Sequence, residues 1–254
     1  MATPKSKMSV SPKKWSTKRL IRSSVKALSE QRHSQAEEAS LVEDETERAE
    51  LEAANAIRQF DSVLDYIDLV ERDGRPFRLK NSTIQHLHQL ALDGLSRYAG
   101  NWRPGAISIG LSKHTLPDRV AVPGLMEEMC EWVNENWEVK TALELCSYVM
   151  WRLNWIHPFD DGNGRTSRAI SYLVLCAKIG NRLPGTVTVP ELIAQNKTPY
   201  YDALEKVDES SEAGNLDLSP LTDLLEARLA EQLMEAYKAA TGKSGNDLME
   251  RKFH

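Results

Sequence analysis

The chain has 254 residues, of which 41% are hydrophobic and 27% charged, the balance of a soluble globular protein. Its 32 Lys and Arg against 37 Asp and Glu leave a net charge of −5, so overall charge gives no reason to invoke nucleic acid, and no apolar run nears the ~18 residues of a membrane span. Cys130, Cys146 and Cys176 are odd in number, far apart and set among apolar residues. That excludes a zinc ribbon, argues against a disulfide scaffold and points to reduced thiols in a cytoplasm. At roughly 150 residues per domain, one large domain with appended arms is expected.

Residues 1–36 read as a basic, disordered arm. Lys5, Lys7, Lys13, Lys14, Lys18, Arg19, Arg22 and Lys26 precede the first acid, Glu30, and apolar periodicity is poor. With no apolar h-region it is not a secretory signal; a solvated tail, a targeting peptide and a nucleic-acid-binding arm stay open. From Glu37 to Leu69 helix formers take over, with Leu51, Ala54, Ile57, Val63, Leu64 and Ile67 at helical spacing. Asp73-Gly74-Arg75-Pro76 breaks the pattern, and Asn81 or Ser82 caps a second helix through Ile84, Leu87, Leu90 and Ala91. Ala106 to Ile109 alternates like a short strand or hairpin arm. Two helices follow, one with Leu125, Met126, Met129, Trp132 and Val133, one from about Ala142 to Trp155. The segment Arg165 to Ile179 is apolar almost all round, as the central helix of a bundle must be, and Gly180-Asn181 stops it. Further helices start near Pro199 and Leu221. The architecture expected is mainly α, about six to eight helices with one β excursion, with a domain over 45–239 and a tail over 240–254.

The chemistry concentrates in His157-Pro158-Phe159-Asp160-Asp161-Gly162-Asn163-Gly164-Arg165-Thr166-Ser167-Arg168. Gly-Asn-Gly allows a tight loop, because Gly and Asn tolerate the left-handed region. The loop feeds into the N-terminus of the buried helix, where backbone N–H groups lack intrahelical partners and the dipole end is positive. Phosphate fits such a place. Arg165 and Arg168, three apart, share a helical face and offer forked donors to one polyphosphate. Asp161 is suited to hold Mg²⁺ against phosphate oxygens. His157, with an ordinary pKa of ~6.5, is largely neutral near pH 7 and can accept a proton. Transfer of a phosphate-containing group needs little more. A catalytic transition-metal site is not expected, since no second His lies close in sequence. His86 and His88 point to different sides of their helix, and the tryptophans read as packing groups.

The segment His157 to Arg168 matches in full the Fic-domain motif His-x-Phe-x-(Asp/Glu)-Gly-Asn-Gly-Arg-x-x-Arg, and the chain resembles the Fic/Doc superfamily from about Glu52 to Tyr201. Ile107, Ser108, Ile109 and Gly110, then His114 and Pro117, look like that family's flap, the hairpin that lines up a target peptide. Leu125-Met126 with Trp132 and Asn134 resembles the following helix, and Tyr200-Tyr201 the tyrosine pair near the adenine pocket. The resemblance implies a Fic-type helical bundle with a short β-hairpin flap. It also implies protein AMPylation. His157 takes the proton from a Tyr, Ser or Thr hydroxyl of a target protein, the oxygen attacks the α-phosphorus of ATP, and pyrophosphate leaves. Asp161 then holds the metal, Arg165 the inner phosphates and Arg168 the γ-phosphate. Gly162, Asn163 and Gly164 supply backbone donors, with Thr166, Ser167, Tyr200 and Tyr201 also in the nucleotide site. Arg165, where the related Doc kinases carry Lys, implies nucleotidyl transfer over phosphorylation. Many relatives carry an inhibitory (Ser/Thr)-x-x-x-Glu-(Gly/Asn) helix whose Glu pairs with the second motif Arg. Here the inhibitory candidate is Glu52, preceded by Arg48 and followed by Ala53; Glu50 has Thr46 before it but Leu51 after. Asp208 stands where many relatives have Asn. The alternatives are removal of AMP, transfer of another nucleotide or phosphate group, or a toxin-like or DNA-docking binding module. A hydroxyl-bearing target protein is the expected partner; a homodimer is open, a membrane is not expected, and nucleic acid enters only through the arm.

Overall fold

A computed structural model describes residues 34–35, 41–73, 76–109 and 114–242. The described chain runs β1 (Ser34–Gln35), α1 (Glu45–Asp73), α2 (Asn81–Leu92), β2 (Ser108–Ile109), α3 (Val122–Glu135), α4 (Ala142–Ile156), α5 (Asn163–Ile179), α6 (Val189–Gln195), α7 (Thr198–Glu212) and α8 (Ser219–Thr241). The fold is mainly α, as the periodicity predicts. The rest of the basic arm, Gly110 of the flap and residues 243–254 of the tail lie outside the described residues.

Local chemistry sets the helix ends. Asp44 Oδ1 accepts from the N–H groups of Thr46 and Glu47 at 2.9 and 2.8 Å, satisfying two of the orphan donors of α1. Thr141 and Glu144 form a reciprocal capping box at α4. The Glu144 carboxyl is pulled down to about 2, first by the Thr141 N–H and then by Lys140. Gly180, at φ 86°, closes α5 in the left-handed conformation. Lys80, not Asn81 or Ser82, is the N-cap of α2, and it makes no side-chain cap.

Helices α4 and α5 form the centre. Leu145, Val149 and Leu153 of α4 meet Ile170, Leu173 and Val174 of α5, all fully buried. Val63 and Ile67 of α1, Leu87 of α2, Met126 and Met129 of α3, and Leu221 and Leu225 of α8 close the same core around them. The first half of α1 departs from the sequence expectation. Ala54 and Ile57 face solvent, and the buried positions are Asn55 and Gln59. Their amides donate to Ala91 O and Asp93 O, and to Leu87 O. Ala91 O and Asp93 O lie at the end of α2, beyond the reach of its own amides, while Leu87 O lies in its body and accepts a second bond. Polar side chains win those positions because an unpaired buried carbonyl costs more than lost apolar contact. The short helix α6 was not expected from the sequence. Gln232 of α8 anchors it, accepting from Val189 N–H and donating to Pro184 O and Tyr172 Oη.

The β excursion is real but its partner differs. Ser108 and Ile109 pair antiparallel with Gln35 and Ser34, so the arm assigned to 1–36 ends in a strand. No described helix is long and apolar enough to cross a membrane.

Candidate active site

The site lies where α4 hands over to α5. His157 caps α4 at φ 51°, the one non-glycine residue with positive φ among the described residues. A residue with a β-carbon holds that conformation only when its surroundings fix it. Arg103 does the fixing. Its Nε donates to His157 O at 3.0 Å and its backbone N–H to Pro158 O at 2.7 Å. Its other nitrogens donate to Gly105 O and Pro117 O, tying the flap stem to the same bend. Burial lowers the proton affinity of this guanidinium, yet three hydrogen bonds hold it in place. The His157 ring is buried, with Nδ1 3.3 Å from Asn154 O. Donation from Nδ1 leaves Nε2 with its lone pair, the form a general base needs.

The loop is closed from below. Asn163 is the first residue of α5; its Oδ1 accepts from Phe159 N–H and its Nδ2 donates to Phe159 O, at 3.0 and 2.8 Å. The Phe159 ring stacks on His88 at 3.6 Å. His88 Nδ1 accepts from Gly100 N–H at 2.9 Å, so Nε2 carries the proton and donates to Asp161 O at 3.0 Å. Burial pulls this imidazole down to about 4, against the hydrogen bond it donates to Asp161 O, which raises it. Gly162, at φ 73°, lies so close that a Cβ would come 2.4 Å from Leu92 Cδ2. Asp160 is buried beside Ser96, whose hydroxyl donates to Oδ2, and burial raises its pKa.

Four charged groups meet at the mouth. Asp161 Oδ2 lies 3.4 Å from Arg165 Nη2 and 3.7 Å from Arg48 Nη2. Glu52 Oε1 lies 3.8 Å from Arg165 Nη1 and 3.4 Å from Arg48 Nε. Acid and base alternate around a closed ring. Glu50 is exposed and outside it. The family pattern sends the inhibitory Glu to the second motif arginine; here Glu52 meets the first. Arg168 has no carboxylate within ion-pair distance among the described residues. Burial lowers its proton affinity, partly offset by Tyr200 and Tyr201. Lys197, at the N-cap of α7, is likewise lowered, first by burial and then by Arg168 and Arg165, against Glu52. Lys197 therefore lies within electrostatic reach of Arg168, Arg165 and Glu52. Sequence reasoning missed it, although it stands beside the tyrosine pair.

Several predicted nucleotide residues have structural places instead. Thr166 and Ser167 are fully buried, and Tyr200 nearly so. Tyr200 Oη accepts from Asn154 Nδ2 at 2.7 Å and shares a bond with Ser167. None of these three side chains has surface to offer a ligand. Tyr201 stays partly open. Gly162 N–H is not a free donor, since it goes to Asp161 Oδ1. Asp208 accepts the Trp151 indole N–H at 2.8 Å. His114 belongs to the flap stem, its Nε2 2.9 Å from Trp155 O. Ile107, Ser108 and Ile109 lie in the flap strand and just before it.

The donor set fits one kind of metal. Among the described residues no cluster of three or more His, Cys, Asp or Glu side chains forms a metal cage. A cation here would have Asp161 as its protein ligand and depend on phosphate oxygens and water for the rest. Magnesium commonly binds in that manner.

The Fic/DOC family profile matches residues 78–175, the span that contains His157, Asp161, Arg165 and Arg168. The match makes residues 78–175 a Fic-domain segment. A protein adenylyltransferase Fic of Nematostella vectensis is 24% identical over 193 residues, covering 71% of this chain and 42% of the relative. That of Drosophila willistoni is 28% identical over 193 residues, 74% of this chain and 34% of the relative. The chain thus spans less than half the length of these relatives. The Fic fold recurs in solved structures. A Fic-domain signalling protein of Bacteroides thetaiotaomicron superposes with a TM-score of 0.58 at 23% identity, over 75% of this chain and 74% of that one. A Fic family protein of Desulfovibrio desulfuricans gives 0.57 at 19%, over 80% and 57%.

Proposed function

We propose that this Fic domain is a protein adenylyltransferase that moves AMP from ATP to a hydroxyl of a target protein. The observation that carries the reading is the junction itself: a fixed imidazole at the end of α4 and two arginines, Arg165 and Arg168, in the first turns of α5, with Lys197 at the start of α7 within their electrostatic reach. Arg168 has a guanidinium with no carboxylate partner among the described residues, which suits it to the end of a triphosphate. The leading amides of α5 add donors for the inner phosphates.

His157 Nε2 accepts the proton of the target hydroxyl. The oxygen forms a bond to the α-phosphorus, the bond from that phosphorus to the bridging oxygen breaks, and pyrophosphate departs. Arg165 and Lys197 neutralise charge on the leaving group. A magnesium ion at Asp161 would supply further charge neutralisation on the phosphate oxygens. The edge of Ser108–Ile109 that is not paired with Ser34–Gln35 is the natural seat for an extended target segment. A cytoplasmic location accords with the three free thiols.

A second reading, removal of AMP from a modified protein, draws on one observation: Glu52 carries a carboxylate into the mouth of the site. Exposure of a lysate to the purified chain with each of the four nucleoside triphosphates, followed by mass spectrometry, tests both. The first reading expects AMP adducts on Tyr, Ser or Thr with ATP. Loss of existing adducts without new ones supports the second.

A further inference from the structure

The ring at the mouth contains a residue for which the motif gives no role. Arg48 lies one turn before Glu52 on α1, at the position where the inhibitory pattern has Ser or Thr. Among the described residues it reaches two acids at once, Glu52 at 3.4 Å and Asp161 at 3.7 Å. Glu52 thereby fixes the guanidinium within reach of the carboxylate that is the metal's protein ligand in the proposed reaction. A carboxylate beside a triphosphate repels it unless a cation stands between them or against it. In most magnesium sites the metal does this. Here the chain brings its own cation.

We propose that Arg48 is a built-in counter-cation for Asp161, which allows the site to take a nucleoside triphosphate without a divalent metal. This rests on the nucleotide reading above. The ring of Arg48, Glu52, Arg165 and Asp161 carries no net charge, so phosphate approaches a neutral mouth backed by Arg168 and Lys197. Without Arg48 the mouth becomes net negative, and a metal ion is then needed to restore the balance at Asp161. Arg48 and the metal are thus alternatives at one carboxylate. The residue acts through charge and touches no reacting atom, so it is a positioning residue.

The test is the affinity for ATP, measured by calorimetry on the full chain, once in EDTA and once in excess magnesium. Wild type is expected to bind in both. Arg48→Ala should weaken binding in EDTA by about tenfold while changing it less than about twofold in magnesium, since the metal takes over the lost charge. Arg48→Lys, which keeps the charge, should stay within about threefold of wild type in both. Circular dichroism and a thermal melt confirm that each variant folds. Equal weakening of Arg48→Ala in the two media would overturn the proposal, as would a Lys variant as defective as the Ala variant. If wild type binds ATP in neither medium, the nucleotide reading fails and takes this inference with it. If wild type binds and the variants show no difference between media, only the role of Arg48 fails.

Discussion

Glu52 Oε1 lies 3.8 Å from Nη1 of Arg165, the first of the two arginines on the loop helix, while Arg168 keeps its guanidinium clear of any carboxylate among the described residues. On the proposed nucleotide reading, an acid in this position would compete with the inner phosphates, leave Arg168 open and weaken nucleotide binding without closing the site.

Glu52→Ala should raise ATP affinity by up to about fivefold, the upper end expected from an ion pair worth about 0.2–1 kcal/mol near solvent. Glu50→Ala should leave it unchanged, since that side chain faces solvent outside the ring. Titration calorimetry on both variants separates the two candidates. Equal effects from both would contradict the geometry.

His88 makes loop stability depend on pH. Burial holds it at about 4 in the folded chain, below its unfolded value of about 6.5. The folded state therefore binds fewer protons than the unfolded state between those values. Its contribution is complete above pH 6.5 and is lost as pH falls toward 4, by about 3 kcal/mol. Urea unfolding between pH 7 and 4 should show this slope. His88→Gln, with no imidazole to protonate, should flatten it. A variant with the same slope as wild type would assign the pH dependence elsewhere.

Gly162→Ala should be severely destabilising. The backbone is in the left-handed region, which costs a residue with a β-carbon ~1–2 kcal/mol. The added carbon also meets Leu92 Cδ2 at 2.4 Å, and overpacking of this kind costs ~1–3 kcal/mol more. A chemical melt should show a loss of about 2–5 kcal/mol. Leu92→Ala in the same chain should recover part of the steric component and none of the conformational one.

Arg103 links the flap to the base. Arg103→Met removes its donors to His157 O, Gly105 O and Pro117 O while keeping much of the side-chain volume. Each lost bond to a charged donor is worth about 1.5–3 kcal/mol, so a clear drop in melting temperature is expected. Transfer activity should fall more than ATP affinity, because the base and the flap lose register while the phosphate cradle stays. A proportional fall in both would make Arg103 a general stabiliser only.

The helical pattern was legible wherever apolar side chains met each other, as in α4 and α5. It misled in α1, where Asn55 and Gln59 are buried to serve carbonyls of α2 and its C-cap. Nothing in the periodicity of α1 announces a debt incurred some thirty residues later. The loop motif named its own charged residues, because those depend on local geometry. His88, Arg103 and Lys197 escaped because their partners are distant in sequence. Tyr200 and Ser167 read as ligand contacts from the motif and its neighbourhood, yet the packing of α7 against α5 spends them on each other. The motif also places a flexible Gly-Asn-Gly turn where the structure starts a helix. The left-handed residues are Gly162 and, against expectation, His157.

The central claim is that His157 moves a proton while the α5 end holds the phosphates, so the two functions separate by mutation. ATP labelled at the α-phosphate, given to Glu52→Ala protein with a cell lysate, should label protein, and ATP labelled at the γ-phosphate should not. Adding His157→Ala should abolish the label and leave ATP affinity within about twofold. Transfer of the γ-label, or full labelling without His157, would contradict the account.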